Sequence, residues 1–265
     1  MKLSWPKSMP PGRSARNRNS PPVLPHGKAR EVATLDDLRT AEDVFAIAGE
    51  PLRVHSGRSV TAITLNGKTH YLKRYWFLPS RPLKRNVARG LHELRMIDWL
   101  NENGFAGPNV VWRGCSGAGP FTSRLCFLME EAAGELPLEA SWRRNRDDEN
   151  GLIRRLASFA ASLHDAGFVH TDFLERHIMV GRTAGDGGEA WTFRLIDLER
   201  SRTGCTSDRL MAEDLATLAA SIMDGRLRHR ITTDFLEEYM AQRRTLSSRA
   251  DMRELFAGAT PTGSS

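Results

Sequence analysis

Two alternating segments joined by an Asn-Gly pair place the strongest constraint on how this chain folds. Apolar and polar residues alternate over 61–65, Asn66-Gly67 follows, and a second extended segment covers 69–75. Because both residues of a tight hairpin turn need positive φ angles, Asn-Gly is a preferred pair in such turns. The sequence therefore predicts an antiparallel β-hairpin, within a larger β pattern over 52–76.

The rest of the first half predicts one helix and two further strands. Residues 81–89 are basic and contain no acid, which predicts a solvated connector. Apolar residues at three-residue spacing predict a helix over 91–101. Segments 110–113 and 125–130 have strand character on either side of a glycine-rich turn.

The second half changes to a helical pattern that one small hairpin interrupts. An apolar face over 152–163 predicts a helix that ends before Gly167. Short strands are predicted at 178–181 and 191–196, and later helices at 214–223 and 233–242. A β-rich half with one helix, followed by a helical half with a small β-hairpin, predicts an α+β protein of two lobes.

The basic charge of the chain is concentrated at its start. Residues 1–30 contain seven Lys and Arg, six of the 13 prolines and no Asp or Glu, whereas the whole chain carries +6. Such a segment buries too little apolar surface to fold, so 1–30 is predicted to be a disordered, basic, proline-rich leader. An anionic docking surface and a plain solubilising tail remain alternatives for it. The two lobes are predicted at 31–132 and 133–265.

Composition excludes several classes of protein. The 265 residues are 40% hydrophobic and 26% charged, which excludes a collagen, a wholly disordered chain and a disulfide mini-protein. The three cysteines, at 115, 126 and 205, are odd in number and lack CxxC spacing, which favours a reducing, cytoplasmic compartment. No run of 18 apolar residues occurs, and neither a transmembrane helix nor a secretory signal is expected.

Five side chains occur in an order that suits phosphoryl transfer. Asp172 lies in a predicted loop, His177 follows it by five residues, and Asp197 comes after the small hairpin. Upstream, Lys73 lies on the second strand of the first hairpin, and Glu93 lies on the next helix. Phosphoryl transfer needs a group that positions the acceptor hydroxyl, ligands for Mg²⁺, and a cation aimed at the phosphates. The five residues fit these three roles.

With these residues in place, the sequence resembles the protein-kinase-like fold and, within it, the lipopolysaccharide kinase (Kdo/WaaP-type) family. The resemblance covers about residues 49–242. In that family a His commonly replaces the protein-kinase Asn, as His177 does here. The segments that carry the resemblance are 49–58, 71–76, 88–100, 104, 127–131, 163–177, 196–200, 213–216 and 225–239.

The resemblance implies a two-lobed protein-kinase-like fold and ATP-dependent phosphorylation of a sugar hydroxyl, on heptose or Kdo, in the lipopolysaccharide inner core. Carried over by position, Asp172 is the catalytic acid–base residue and Lys73 contacts the nucleotide phosphates. Glu93 orients Lys73. Asp197 binds Mg²⁺, and His177 joins or orders that metal site.

ATP and Mg²⁺ are the implied cofactors, and backbone groups of Glu130, Glu131 and Ala132 are expected to meet adenine. The implied partner is a lipid-linked glycan, the lipopolysaccharide core. The basic run over 73–89 and the leader make peripheral contact with an anionic inner membrane a further expectation. Nucleic acid is disfavoured because no recognition motif accompanies the charge. We expect a monomer in the cytoplasm, with any membrane contact at the cytoplasmic face.

Three departures separate the sequence from the usual patterns. No Gly-x-Gly-x-x-Gly precedes the strand lysine, so Ser56-Gly57-Arg58 is the only candidate cover for the phosphates. Thr171 replaces the Arg that usually precedes the catalytic Asp, which argues against regulation by a phosphorylated activation loop. Glu199 stands where the family tends to have His, at the segment that carries the metal ligand.

Other interpretations compete with the kinase. His170-Thr-Asp172 matches the start of a non-haem iron triad, but the helical second half lacks the distant strand that would supply the third ligand. A zinc site from His164, His170 and His177 lacks any supporting motif, and His170 is better explained as a structural residue of the loop. A non-catalytic kinase-like binding or scaffold protein stays open, as does a same-fold kinase for a protein or small molecule.

Overall fold

The computed structural model describes residues 34–35, 38–77, 85–117, 123–185, 188–245 and 248–259. The first lobe contains α1 (Ala41–Phe45), β1 (Glu50–His55), β2 (Arg58–Leu65), β3 (Lys68–Trp76), α2 (Arg85–Glu102), β4 (Val110–Ser116) and β5 (Arg124–Glu130). Its five strands form one sheet in the order β1-β2-β3-β5-β4. Every neighbouring pair is antiparallel.

Strands β2 and β3 form the predicted hairpin. Asn66 and Gly67 have φ angles of 50° and 73°, the left-handed conformation that a two-residue turn requires. The register pairs Lys73 with Val60 on one side and with Phe127 on the other. The hairpin therefore places the predicted phosphate-binding lysine on the central strand of the sheet.

Helix α2 packs against one face of this sheet. It begins at Arg85, so the predicted connector is wrong from that residue onward, and 81–84 lie outside the described residues. The polar first turns bury Val87 but carry no apolar repeat that would have revealed a helix. Gly90 allows a close approach, because a Cβ there would lie 2.6 Å from the ring of Tyr75. This contact fixes the distance of α2 from the sheet.

The opposite face of the sheet carries α1, a short helix that the sequence patterns do not predict. Arg74, 2% exposed, holds the segment that includes α1 in place. Its Nε donates to the carbonyl of Phe45 (3.0 Å), one terminal nitrogen donates to Thr61 Oγ1 (2.7 Å), and the other donates to the carbonyl of Ile47. Burial lowers the pKa of Arg74 to about 10. These hydrogen bonds offset part of the desolvation cost.

The second lobe is mainly helical and contains a small three-stranded sheet, β6-β7-β8. Its elements are β6 (Leu136–Pro137), α3 (Leu138–Arg144), α4 (Glu149–Asp165), β7 (Ile178–Gly185), β8 (Gly188–Leu195), α5 (Asp208–Ser221), α6 (Gly225–Arg230), α7 (Leu236–Gln242) and α8 (Arg249–Ala259). Short 3₁₀ turns cover Arg146–Asp148 and Glu175–His177, and a π-helical turn at Ile231–Phe235 joins α6 to α7.

The predicted helices of this lobe are present with changed bounds: α4 is longer at both ends, α5 starts and ends earlier, and the helix predicted at 233–242 is α7, whose first three predicted residues belong to the π-helical turn. Helix α4 buries the predicted apolar face and ends at Asp165, two residues before Gly167, which has a φ of 79°. Helix α5 begins six residues before the predicted start, and the missed part contains the buried Met211 and Ala212. The hairpin β7–β8 is likewise longer than predicted.

The two lobes share one apolar core and several hydrogen bonds. Trp99 of α2 stacks on Phe168 below it, with ring centroids 5.3 Å apart. The Leu195 N–H donates to the carbonyl of Ala106 (3.1 Å). Arg194 donates to a carbonyl in the loop before β4, and within its own lobe the same side chain donates to Glu135 (3.0 Å). These contacts place the segment after β8, which carries Asp197, against the first lobe.

The predicted α+β architecture of two lobes is confirmed. The leader at 1–30 lies outside the described residues, and the lobe boundary at 132–133 stays a prediction. Within the part of the chain that the structure describes, no helix is long and apolar enough to cross a membrane.

Candidate active site

Asp214 of α5 shapes the loop that carries Asp172. Its two carboxylate oxygens accept hydrogen bonds from the backbone N–H groups of His170 (2.6 Å) and Thr171 (2.7 Å). Thr171 has a φ of 61°, a costly conformation for a β-branched residue. Asp214 is 1% exposed, so these charge-assisted bonds form away from water, where they are strong. Asp214 therefore holds the backbone of this loop in its strained conformation at Thr171.

His170 completes the support of this loop. Its ring is fully buried, and Nε2 lies 3.1 Å from the carbonyl of Ile196, to which it donates. Its own carbonyl accepts from Ser201 Oγ (3.2 Å). Burial lowers the pKa of His170, which favours a neutral ring. The contacts support the structural role expected for this residue.

Asp172, His177 and Asp197 converge at the mouth of the cleft. One potential ligand atom from each lies within 4.8 Å of the other two. His177 Nδ1 is 2.9 Å from the Asp172 carbonyl, which can only accept, so Nδ1 carries the proton. In the neutral ring Nε2 then holds a lone pair, and it lies 3.6 Å from Asp197 Oδ2. Two carboxylates and an imidazole lone pair fit a divalent cation, although Mg²⁺ prefers oxygen.

The backbone of Asp197 lies in the left-handed region, which is costly for a residue other than glycine. Its φ is 62°. Burial would raise the pKa of its carboxyl, but the positive charge of Lys73 holds that pKa below its ordinary value. Asp197 is therefore ionised near neutral pH and faces both the lysine and the histidine.

Lys73 and Glu93 form the ion pair expected of them. Lys73 Nζ is 2.5 Å from Glu93 Oε1, and Glu93 is 0% exposed. Burial pulls the pKa of Lys73 down, but the carboxylates of Glu93, Asp197 and Glu199 outweigh it and raise the pKa above its ordinary value. The lysine is a fixed cation between the helix carboxylate and the metal cluster.

Three further side chains extend this ion pair. The Tyr75 hydroxyl lies 2.6 Å from Glu93 Oε2 and 2.9 Å from Glu199 Oε1. The second oxygen of Glu199 pairs with Arg58, which begins β2 directly after the Ser56-Gly57 turn. Burial and the two carboxylates raise the pKa of Tyr75 well above its ordinary value, so the phenol stays protonated. The carboxylate of Glu199 thus points to the first lobe.

The segment expected to meet adenine lies at the end of β5. The N–H groups of Glu130 and Glu131 already donate to the carbonyls of Asn109 (3.0 Å) and Thr69 (3.1 Å). The Glu131 side chain accepts from the Tyr71 hydroxyl (3.1 Å). The Ala132 carbonyl accepts from a backbone N–H three residues on. Adenine contact by backbone groups of these residues stays a prediction, and these two N–H groups are engaged within the protein.

Sequence reasoning selected the residues that meet in this cleft but not the side chains that support them. Asp214 left a signal, since it lies on the same helical face as Met211, Leu215 and Leu218, where an acid needs a buried partner. Tyr75 left none, because an aromatic residue at the end of a strand usually packs in a core.

The fold and this site together define a protein-kinase-like protein. The two lobes bring five side chains together in one cleft, namely Lys73, Glu93, Asp172, His177 and Asp197. A family model then matches residues 44–239, so the chain belongs to the Lipopolysaccharide kinase (Kdo/WaaP) family. Membership of this kinase family supports a phosphotransferase activity.

Two curated relatives and one solved structure extend the comparison. The lipopolysaccharide core heptose(I) kinase WaaP of Escherichia coli is 25% identical over 76% of this chain and 81% of its own. WaaP of Escherichia coli strain K12 is 25% identical over 80% of this chain and 88% of its own. A structure described as WaaP in complex with acyl carrier protein has a TM-score of 0.61 and 23% identity, covering 82% of this chain and 87% of that one. At this identity the structure supports the fold alone.

Proposed function

We propose that this protein is an ATP-dependent kinase that phosphorylates a sugar hydroxyl, on heptose or Kdo, of the lipopolysaccharide inner core. The observation that carries the proposal is the cluster of Asp172, His177 and Asp197 beside the Lys73–Glu93 ion pair. The acceptor class follows from family membership and from the named activity of the curated relatives. The partner we propose is accordingly a lipid-linked glycan.

Each residue has a defined part in this reaction. Asp172 accepts the proton of the sugar hydroxyl as that oxygen forms a bond to the γ-phosphorus, while the bond from phosphorus to the ADP oxygen breaks. Lys73, oriented by Glu93, neutralises charge on the nucleotide phosphates. Asp197 and His177 would hold Mg²⁺ together with the nucleotide. The metal, when bound, supplies charge neutralisation on the transferring phosphoryl group.

The exposure of Asp172 suits its role. Its side chain is 32% exposed, whereas His177 behind it is 5% exposed. A general base must reach the acceptor, and a positioning residue need not. Asp172 is thus open enough to meet a bulky glycan, as is Asp197 with a side chain 31% exposed, so the assignment of the base rests on its position in the loop.

The central test replaces Asp172 by Asn or Ala. We expect phosphate transfer from ATP to purified core oligosaccharide to fall by about 10²–10⁴-fold, because a general base is lost. Mg²⁺-ATP should still raise the melting temperature of both variants, since Lys73 and Glu93 remain. Transfer by Asp172→Ala at the wild-type rate would overturn the assignment.

The same assay distinguishes the kinase from a non-catalytic binding protein. A wild-type protein that neither binds Mg²⁺-ATP nor turns it over would favour the scaffold interpretation. A protein that transfers phosphate to serine peptides or small alcohols, but not to core oligosaccharide, would retain the kinase and replace the acceptor.

A further inference from the structure

Arg58, Glu199, Tyr75, Glu93 and Lys73 form one continuous chain of polar contacts. The contacts run from Arg58 at the start of β2 to Glu199 in the segment after β8, and from there to Tyr75 on β3. They continue to Glu93 on α2 and end at Lys73 on β3. Tyr75 is 2% exposed and Glu93 0%, so the middle of the chain is shielded from water. A polar network of this kind holds its members firmly because an unpaired group would be costly.

The hydroxyl of Tyr75 joins two carboxylates with a single proton. Glu93 Oε2 is 2.6 Å away and Glu199 Oε1 is 2.9 Å away, yet one phenol donates only one hydrogen bond. Two anions this close are stable only with cations beside them, and Lys73 and Arg58 take these places at the two ends. The central groups therefore fix the positions of the two end cations.

Both end cations belong to the side of the cleft where a nucleotide's phosphates would lie. Lys73 interacts electrostatically with Asp197, a member of the metal cluster. Arg58 follows Gly57, whose φ of 84° forms the turn between β1 and β2. Glu199, which holds Arg58, is two residues from Asp197 in the chain. The turn is thereby tied to the metal cluster by a side-chain bridge.

We propose that Glu199 is a positioning residue of the nucleotide site. Through Arg58 it anchors the β1–β2 turn over the phosphates, and through Tyr75 it fixes the carboxylate of Glu93 that orients Lys73. The inference rests on the proposed kinase function. This chain lacks a Gly-x-Gly-x-x-Gly motif. The inference explains how the Ser56-Gly57-Arg58 turn could still be held over the phosphates, because the Arg58–Glu199 ion pair takes the place of a glycine-rich loop.

The test begins with the bridge in the nucleotide-free protein. Glu199→Gln removes the charge at nearly constant volume, and Tyr75→Phe removes one oxygen while the ring keeps its stacking on Phe127. Urea unfolding of both variants and of the double variant gives a double-mutant cycle. We expect the double variant to be destabilised by less than the sum of the two single effects, because both remove the same contact. Strictly additive effects would overturn the bridge.

The second measurement is the Kd for a non-hydrolysable Mg²⁺-ATP analogue, by calorimetry. We expect each single variant to raise the Kd about tenfold, and the double variant to have the Kd of the single variant that binds the analogue more weakly. Asp98→Asn should change the Kd less than about twofold. Asp98 is the matched control, a carboxylate paired with Arg113 on the surface of the same lobe. In turnover assays the KM for ATP should rise while the KM for the acceptor stays constant, a split that a loss of stability alone would not give.

The outcomes separate the two proposals. A wild-type protein that fails to bind the analogue would refute the kinase function, and the inference would fall with it. A wild-type protein that binds, with Tyr75→Phe and Glu199→Gln binding equally well, would overturn the inference alone. If Glu199→Gln fails to fold, Tyr75→Phe decides the question, because it removes only a hydroxyl.

Discussion

Buried polar side chains that take no part in the chemistry set the shape of the loop around Asp172. Asp214 receives the two N–H groups that precede the catalytic residue, and His164 Nε2 lies 3.5 Å from one of its oxygens. Because Thr171 is held at positive φ, the loop would relax without these hydrogen bonds. The geometry of the loop that carries Asp172 thus depends on an acid from α5.

The Asp214→Asn variant tests this dependence. An amide offers one acceptor oxygen where the carboxylate offers two, and its NH₂ group faces a backbone donor. We expect a loss of about 1.5–3 kcal/mol in the free energy of unfolding, together with a lower kcat for phosphate transfer. Urea unfolding and initial rates at saturating substrate measure the two effects.

The neighbouring Glu213→Gln is the matched control for that change. Glu213 is 46% exposed and pairs with Arg209 at the surface, so its loss should alter stability by less than about 0.5 kcal/mol. An Asp214→Asn protein with wild-type kcat would show that the loop keeps its shape without the carboxylate.

Helix α2 is the element whose placement matters most for the site. It carries Glu93, and its distance from β3 decides whether the carboxylate reaches Lys73. Gly90 lies against Tyr75, so the absence of a side chain at one position sets that distance. The sequence predicted the helix from its apolar repeat, but not its start at Arg85 or its depth against the sheet.

Gly90→Ala should disturb this contact. A Cβ at residue 90 would lie 2.6 Å from side-chain carbons of both Tyr75 and Leu125, so α2 must move outward. We expect a loss of about 1–3 kcal/mol from overpacking and a weaker Lys73–Glu93 pair, despite the higher helix propensity of Ala. Urea unfolding measures the first effect and Mg²⁺-ATP binding the second.

Gly258→Ala supplies the comparison. Residue 258 lies in α8 with open space where a Cβ would point, so Ala should be neutral or stabilising by up to about 1 kcal/mol. Equal responses at residues 90 and 258 would mean that α2 does not pack as closely as the structure shows.

The stability of the whole molecule depends on long-range ion pairs as well as on the shared core. Asp165, at the end of α4, accepts from Arg243 Nε (2.7 Å), from the Arg244 N–H (2.8 Å) and from Thr245 Oγ1 (2.7 Å). Burial would raise the pKa of Asp165, but these hydrogen bonds outweigh it and lower that pKa below its ordinary value of 3.8. The segment after α7 is thereby attached to α4.

A pH dependence follows from the lowered pKa of Asp165. The ionised carboxylate stabilises the fold above pH 3.8, and this contribution is lost as pH falls through the lower folded-state pKa. We expect Asp165→Asn to lose about 1.5–3 kcal/mol at pH 7 and to approach wild type as the pH falls below the folded-state value. Urea unfolding at pH 7 and at a pH below the folded-state pKa of Asp165 measures the difference in unfolding free energy between wild type and variant.

The control for this prediction is Glu237→Gln. Glu237 and Arg253 are both more than half exposed, so the loss of their pair should cost less than about 0.5 kcal/mol at either pH. An Asp165→Asn protein with the same deficit at both pH values would contradict the ionisation argument.

The sequence by itself predicted most of the elements around the candidate site and the five residues assigned to it. Alternation and the Asn66-Gly67 turn specify the hairpin that carries Lys73, and helical periodicity specifies α4, because both signals come from the geometry of a single element. The order of Glu93, Asp172, His177 and Asp197 was also readable, since each lies at a fixed place relative to its own strand, helix or loop.

Only the tertiary structure decided which side chains support those residues. Arg58 and Tyr75 are cross-strand partners in the β2–β3 hairpin, but Glu199 lies 124 residues beyond Tyr75, and its contacts with them depend on how closely the two lobes approach. Asp214 meets the catalytic loop for the same reason. Local patterns cannot encode such contacts, because their energies arise from burial and charge that exist only once the lobes have packed.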